Sequence, residues 1–327
     1  MISKNLTKPK MVLLDAYTSQ PGDLGWELLE KLGSVEVFDR TSPDQLLERV
    51  ASKQIIITNK VQLSRETISQ VPDCKLICLL STGTNAVDLE ACRERGIPVC
   101  NIPAYSTDSV AEQVFALLFE WARGVGTHAD AVRQGTWTEC DDFCFTLSPQ
   151  RELRGKTLGL IGFGDIAQAV ARIAGVLGLK VLAYTPHPEG KPDLGQQFVD
   201  QETLFRTSDI VSLHCPLTPD TEDLINAPRL KTMKQGAVLI NTGRGGLLDE
   251  EAVASALQSG ALGAALLDVL RSEPPPADHP LLQAPHTIIT PHIAWATRAA
   301  RGRLIEILAG NVSAYLEGRP RNIVNGV

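Results

Sequence analysis

One eleven-residue stretch constrains the fold more than any other. The apolar, β-forming run Thr157–Ile161 breaks into Gly162-Phe163-Gly164-Asp165-Ile166-Ala167, and an amphipathic helix follows through Val170, Ile173 and Leu177. A bare G-x-G-x-x-[GA] pattern carries little information. Between a strand and a helix it is the turn of a doubly wound dinucleotide-binding domain. Gly162 permits the tight turn, Gly164 lets the backbone approach a pyrophosphate, and Ala167 allows the helix to pack closely on its strand. The helix N-terminus adds unpaired N–H groups and the positive end of its dipole. A strand–helix turn that merely needs small residues is the competing interpretation, and the flanking pattern disfavours it. Residues 162–166 are therefore the candidate cofactor cradle.

The rest of the chain agrees with that turn. In the first hundred residues, Met11–Leu14, Val35–Phe38, Ile55–Ile57, Leu76–Leu80 and Pro98–Cys100 read as buried strands. Helix-like segments lie between them, with start signals at Ser42-Pro43-Asp44 and Ser64-Arg65-Glu66. A longer helix is expected over Asp108–Arg123, then an irregular stretch around Gly135–Pro149 that suits a crossing between domains. A second alternating set comprises Thr157–Ile161, Lys180–Tyr184, Asp209–Leu213, Ala237–Asn241, Ala264–Leu267 and Thr287–Thr290. A final helix over Thr297–Leu316 is long enough to return to the first domain. Strand–helix alternation of this kind predicts an α/β protein with two doubly wound, parallel-sheet, Rossmann-like domains.

Charge and cysteine use exclude several function classes. The 327 residues carry 31 Lys+Arg against 38 Asp+Glu, a net of −7, which disfavours nucleic acid or an anionic membrane as partner. The balance leaves room for a small anion held by local cations. The seven cysteines (74, 78, 92, 100, 140, 144 and 215) are odd in number and show no zinc-site spacing. Reduced, mostly buried thiols in a cytoplasmic protein are expected, and no metal. No apolar signal core precedes Met11, and the apolar run Val114–Ala122 contains Glu120 and is too short to span a bilayer.

Three further segments stand at the ends of expected strands in the second set, where doubly wound folds place their ligands. They are Asn241–Glu250 with Arg244 between glycines, Leu267–Val269 followed by Glu273-Pro274, and Thr290–Trp295 with His292. Singly, each has a bland interpretation: a surface arginine, a solvated glutamate, a histidine satisfied by backbone. Three together, downstream of a dinucleotide turn, point to chemistry.

At this point the chain resembles the D-isomer-specific 2-hydroxyacid dehydrogenases, from Met11 to about Asn322. The resemblance rests on the glycine turn, on Asn101–Glu112, on His214-Cys215-Pro216-Leu217-Thr218 and on the three strand-end segments. It implies a substrate-binding domain of residues 1–101 and 292–327, a dinucleotide-binding domain of residues 102–291 inserted into it, and a homodimer. It also implies a hydride transfer between NAD or NADP and a small anionic 2-keto or 2-hydroxy acid. His292 would be the proton donor to the carbonyl oxygen, and Glu273 would orient its ring and favour the charged form. Arg244 would bind the substrate carboxylate and stabilise charge growing on the carbonyl oxygen. Thr82, Gly83 and Thr84 would add backbone donors to that carboxylate, although the family often carries an aromatic or hydrophobic residue where Thr84 stands. Thr107, Cys215, Pro216, Thr242 and Asp268 would line the cofactor, Asp268 at the nicotinamide carboxamide. About twenty positions past the turn, where an acidic residue selects NAD, stands Thr185, so the choice between NAD and NADP stays open.

Within the family, Asp15-Ala16-Tyr17, Pro21-Gly22-Asp23 and Asp142–Phe145 look most like the glycerate dehydrogenase (hydroxypyruvate reductase) branch, which makes hydroxypyruvate or glyoxylate the expected substrate. Two alternatives stand beside it. The same mechanism could serve phosphoglycerate or lactate, or the chain could be a non-catalytic dinucleotide-sensing protein like the corepressors of this fold.

Overall fold

The structure is a computed structural model that describes residues 8–327. The first seven residues, part of the stretch inspected for a signal core, lie outside the described residues. The chain divides into two compact units: residues 1–106 with 296–327, and residues 107–295. The irregular stretch Gly135–Pro149 therefore lies inside the second unit and is no crossing; the chain passes between units at Ser106/Thr107 and Trp295/Ala296.

The first unit is a five-stranded parallel sheet of β1 (Lys10–Leu13), β2 (Ser34–Val37), β3 (Ile55–Thr58), β4 (Leu76–Leu79) and β5 (Val99–Cys100), in the order β2-β1-β3-β4-β5. β3 and β4 are buried at every position, which is why they read as unbroken apolar runs. The helices between strands start where side chains can satisfy open N–H groups. Ser42 and Gln45 form a capping box, and Ser64 accepts from the Thr67 N–H. The C-terminal helix Arg298–Leu316, capped by Thr297, belongs to this unit. Arg301 on it grips Asp23 with two bonds of 2.6 and 2.7 Å.

The second unit is a seven-stranded parallel sheet. Its strands are β6 (Thr157–Ile161), β7 (Lys180–Tyr184), β8 (Gln196–Phe198), β9 (Ile210–Leu213), β10 (Ala237–Asn241), β11 (Leu262–Leu267) and β12 (Thr287–Ile289), in the order β12-β11-β10-β9-β6-β7-β8. Both units are thus the parallel α/β sheets expected from the alternation. β8 was not legible in advance, because Gln-Gln-Phe at a sheet edge needs no apolar run. The chain begins in the middle of the sheet at β6, moves outward to β8, then returns to β9 on the other side of β6. That reversal is a topological switch point, the place where such sheets open a ligand crevice. Two apolar cores cover the sheet faces, one including Val114, Leu118 and Val170 and the other Leu213, Leu247 and Leu267.

Candidate active site

Strand register assembles the site. Ile161 of β6 pairs with Tyr184 of β7 and Leu213 of β9, Asn241 of β10 with Leu213 and with Leu267 of β11, and Leu267 with Ile289 of β12. The residues just beyond those strand ends, Gly162, Thr185, His214, Thr242, Asp268 and Thr290, therefore form one row along the C-terminal edge of the sheet.

The glycine turn has the geometry its sequence implies. Gly162 has φ +90°, and a Cβ there would lie 2.7 Å from the His214 carbonyl carbon and oxygen, so the β6 and β9 loops meet backbone to backbone. A Cβ on Gly164 would meet nothing within 4 Å, so open space lies in front of the helix Asp165–Val176. Thr242 Oγ1 is buried with no hydrogen-bond partner. An open cradle at a helix N-terminus and an orphaned hydroxyl in the same row suit a dinucleotide. The Phe163 ring is not part of that cradle: it is 2% exposed and packs edge-on against Phe198 at 5.2 Å. Only its backbone can serve a ligand. Asp165 is exposed and Ile166 partly buried against the core. Thr185 is half-buried. Cys215 is half-buried, and burial raises its thiol above the ordinary value. Pro216 is exposed, and Thr107 opens the helix Thr107–Arg123. His214 is bonded to Ser212 Oγ at 2.9 Å; although its ring keeps some surface, burial among the strand-end loops pushes it down to about 4.

Glu273 and His292 come together. His292 Nδ1 lies 2.6 Å from Glu273 Oε2, and the Leu270 N–H donates to Glu273 Oε1 at 3.1 Å. Both side chains are about one-third exposed, open enough to meet a ligand. With the carboxylate on Nδ1, the ring donates its Nδ1–H there, which leaves Nε2 to carry the exchangeable proton. The His292 backbone is unusual, with φ +54°, and its N–H donates to the Asp268 and Thr290 carbonyls.

Asp268 explains how that turn is held. It is 1% exposed; its Oδ1 accepts from Thr290 Oγ1 (2.5 Å) and the Ile293 N–H (3.0 Å), and its Oδ2 from the Ala294 N–H (2.8 Å). Burial pushes its carboxyl above the usual value, against these donors, which pull it down. The buried carboxylate thus shapes the loop that presents His292, a role with no signal in sequence beyond an aspartate at a strand end.

Arg244 is exposed, and its guanidinium donates to the Gly243 carbonyl at 2.8 Å; among the described residues no carboxylate pairs with it. The fully buried Asn241 builds its turn, donating to the Arg244 carbonyl and accepting from the Gly243 N–H. Sequence reasoning did not assign that function to Asn241; its polar side chain at the end of a buried strand was the available signal.

The Thr82–Thr84 segment lies in the first unit. Ser81 Oγ donates to the Gly83 carbonyl, and Thr82 Oγ1 to the Ile102 carbonyl. It opens no helix: the next helix starts at Leu89, with Asp88 capping the Ala91 N–H. Any donors from this segment are loop N–H groups, without a helix dipole behind them.

The model of the D-isomer specific 2-hydroxyacid dehydrogenase NAD binding domain matches residues 115–294, the stretch that holds the glycine turn, Arg244, Glu273 and His292. The chain belongs to the D-isomer-specific 2-hydroxyacid dehydrogenase family. It is an oxidoreductase of 2-hydroxy acids that uses a nicotinamide dinucleotide. Relatives of this dehydrogenase include the hydroxypyruvate reductase of Blautia hydrogenotrophica, 42% identical over 97% of this chain and 99% of that one. The glycerate dehydrogenase of Methylorubrum extorquens is 41% identical over 86% and 89%. Among solved structures, an acyclic imino acid reductase in complex with NADPH and D-Arg superposes with a TM-score of 0.84 at 32% identity, covering 96% of this chain and 99% of that one.

Proposed function

We propose that this dehydrogenase reduces hydroxypyruvate to D-glycerate and, less well, glyoxylate to glycolate. The observation that carries the reading is the 2.6 Å pair of His292 and Glu273 in the same unit as an arginine with no carboxylate partner among the described residues. Relatives named hydroxypyruvate reductase and glycerate dehydrogenase support the choice of acid. The nicotinamide supplies the hydride when bound. Arg244 grips the substrate carboxylate through its planar fork and draws charge toward the carbonyl. His292, held at Nδ1 by Glu273, passes the proton on Nε2 to the carbonyl oxygen as negative charge grows there; in the oxidative direction it takes that proton back. The backbone of Gly162–Ile166 receives the pyrophosphate, Thr242 Oγ1 gains the partner it lacks, and Asp268, Thr107, Cys215 and Pro216 line the cofactor.

Three finer readings follow. Thr185 offers no carboxylate to repel a 2′-phosphate, so NADPH is accepted as well as NADH. The working form is a homodimer, for which Val125, Trp137, Phe143 and Leu147, at 62, 52, 88 and 51% exposure within one segment, supply apolar surface. The protein works in the cytoplasm, where its free thiols stay reduced; among the described residues no helix is long and apolar enough to cross a membrane. Turnover of NADH and NADPH against hydroxypyruvate, glyoxylate and pyruvate tests the substrate reading, and light scattering tests the dimer. A clear preference for pyruvate or a branched 2-keto acid would overturn the choice of acid.

A further inference from the structure

Behind the His292–Glu273 pair stands a second, buried pair of the same two residue types. Glu250, the first residue of the helix Glu250–Gln258, would ordinarily be read as a solvated carboxylate favoured by the helix dipole. Its side chain is instead only 11% exposed, and that of His279 beside it 6%. Glu250 Oε2 meets His279 Nε2 at 3.0 Å, and Glu250 Oε1 accepts from the Arg271 N–H at 2.8 Å. The neighbouring amide, Leu270 N–H, is the one that donates to Glu273 Oε1. Two successive backbone N–H groups, those of Arg271 and Leu270, thus link His279 and Glu250 on one side to Glu273 and His292 on the other.

The surroundings leave this turn little freedom. A Cβ on Gly245 would lie 1.9 Å from the Leu270 carbonyl carbon and 2.2 Å from the Arg271 nitrogen, so the loop that follows Arg244 rests directly on the turn that leads to Glu273. The Arg271 side chain binds Glu222 at 2.9 Å, Asp223, and the Leu248 carbonyl at 3.1 Å. These bonds fasten the turn to two neighbouring loops.

We propose that Glu250, locked by His279, is a positioning residue for the reaction: by holding the Leu270–Arg271 peptide it aims Glu273 at His292 Nδ1. The inference rests on the proposed roles of Glu273 and His292. Glu250 touches neither substrate nor cofactor, so its loss acts on kcat and leaves the KM for the cofactor unchanged.

A double-mutant cycle with Glu273→Ala tests this, with folding checked by circular dichroism and cofactor affinity by NADH fluorescence. Glu250→Ala is expected to lower kcat about 10–100-fold, the scale on which a reacting group displaced by an ångström loses rate. In the Glu273→Ala background the same change should cost less than about twofold, because residues acting as a unit are not additive. Glu250→Gln keeps an oxygen for the Arg271 N–H but has none left for His279 Nε2–H, whose Nδ1 accepts from the Leu281 N–H, so its kcat should fall between those of the parent and Glu250→Ala. If the alanine variant does not fold, Glu250→Asp, one methylene short of spanning both partners, takes its place in the cycle. A kcat within twofold of the parent in folded Glu250→Ala, or an equal loss with and without Glu273, would overturn the inference while leaving the proposed function intact. Full turnover in Glu273→Ala would overturn both.

Discussion

His292 combines chemistry with an uncommon backbone. A non-glycine residue at φ +54° is held there by its surroundings, and here the Asp268 and Thr290 carbonyls take its N–H while the Asp268 carboxylate takes the next two. A substitution that tests the chemistry should spare that backbone, and asparagine tolerates the left-handed region better than alanine does. His292→Asn is expected to fold normally and to lose roughly 10²–10⁴-fold in kcat at neutral pH, the usual worth of a general acid. Retention of near-full turnover would rule out the proton-transfer role. Thr185 is a second single-residue test. A carboxylate there would accept the ribose hydroxyls of NADH and repel the 2′-phosphate of NADPH. Thr185→Asp should therefore raise the NADH:NADPH ratio of kcat/KM by about tenfold or more, as like charges in contact oppose binding by over 1 kcal/mol. Both residues were visible as motif positions in the sequence. The φ of His292 and the grip of Asp268 were not, because no local pattern encodes which carboxylate a loop N–H will find.

Among the elements, the C-terminal helix Arg298–Leu316 shows how a charged pair fixes a long-range attachment. Arg301 is 7% exposed, bonds Asp23 bidentately, and also reaches the Ala296 and Ser19 carbonyls. The Arg301 bond is the main cause holding the Asp23 carboxyl below its ordinary 3.8, with burial opposing it. A carboxylate whose folded value is depressed contributes stability above its unfolded value, and that contribution disappears as pH falls through the folded one. Urea denaturation is expected to show it in full above pH 3.8 and to lose it on further acidification. In Arg301→Leu that acid-dependent part should vanish; an unchanged acid limb would show the pair to be idle. The helix itself was legible from its length and its Thr297 cap. Its partner was not, since residues 23 and 301 share no sequence neighbourhood. Strands whose every residue is buried, such as β3, β4 and β10, announced themselves as apolar runs. The polar edge strand β8 did not.

At the scale of the molecule, the second unit carries the glycine turn, the orphaned Thr242 hydroxyl and the three proposed catalytic residues in one continuous stretch. A ligand that binds only the folded state stabilises it by mass action, by about 2.7 kcal/mol at one hundred times its Kd. For a protein of this size NADH or NADPH at that concentration should raise Tm by roughly 4 °C. No shift with either cofactor would contradict the cradle. The amino-acid sequence by itself determined the α/β class, the parallel sheets and the glycine turn, because strand burial, helix caps and the steric need for glycine are local properties. It also named Arg244, Glu273 and His292 as types of residue at strand ends. What only the tertiary structure decided is how those residues meet. The register of seven strands sets Gly162, Thr242 and Asp268 in one row; Asp268 shapes the His292 turn; and Glu250, to every local measure a surface glutamate, is folded inward behind Glu273. Those pairings depend on which loops the packed sheet brings within 3 Å of each other, and sequence spacing alone does not specify that distance.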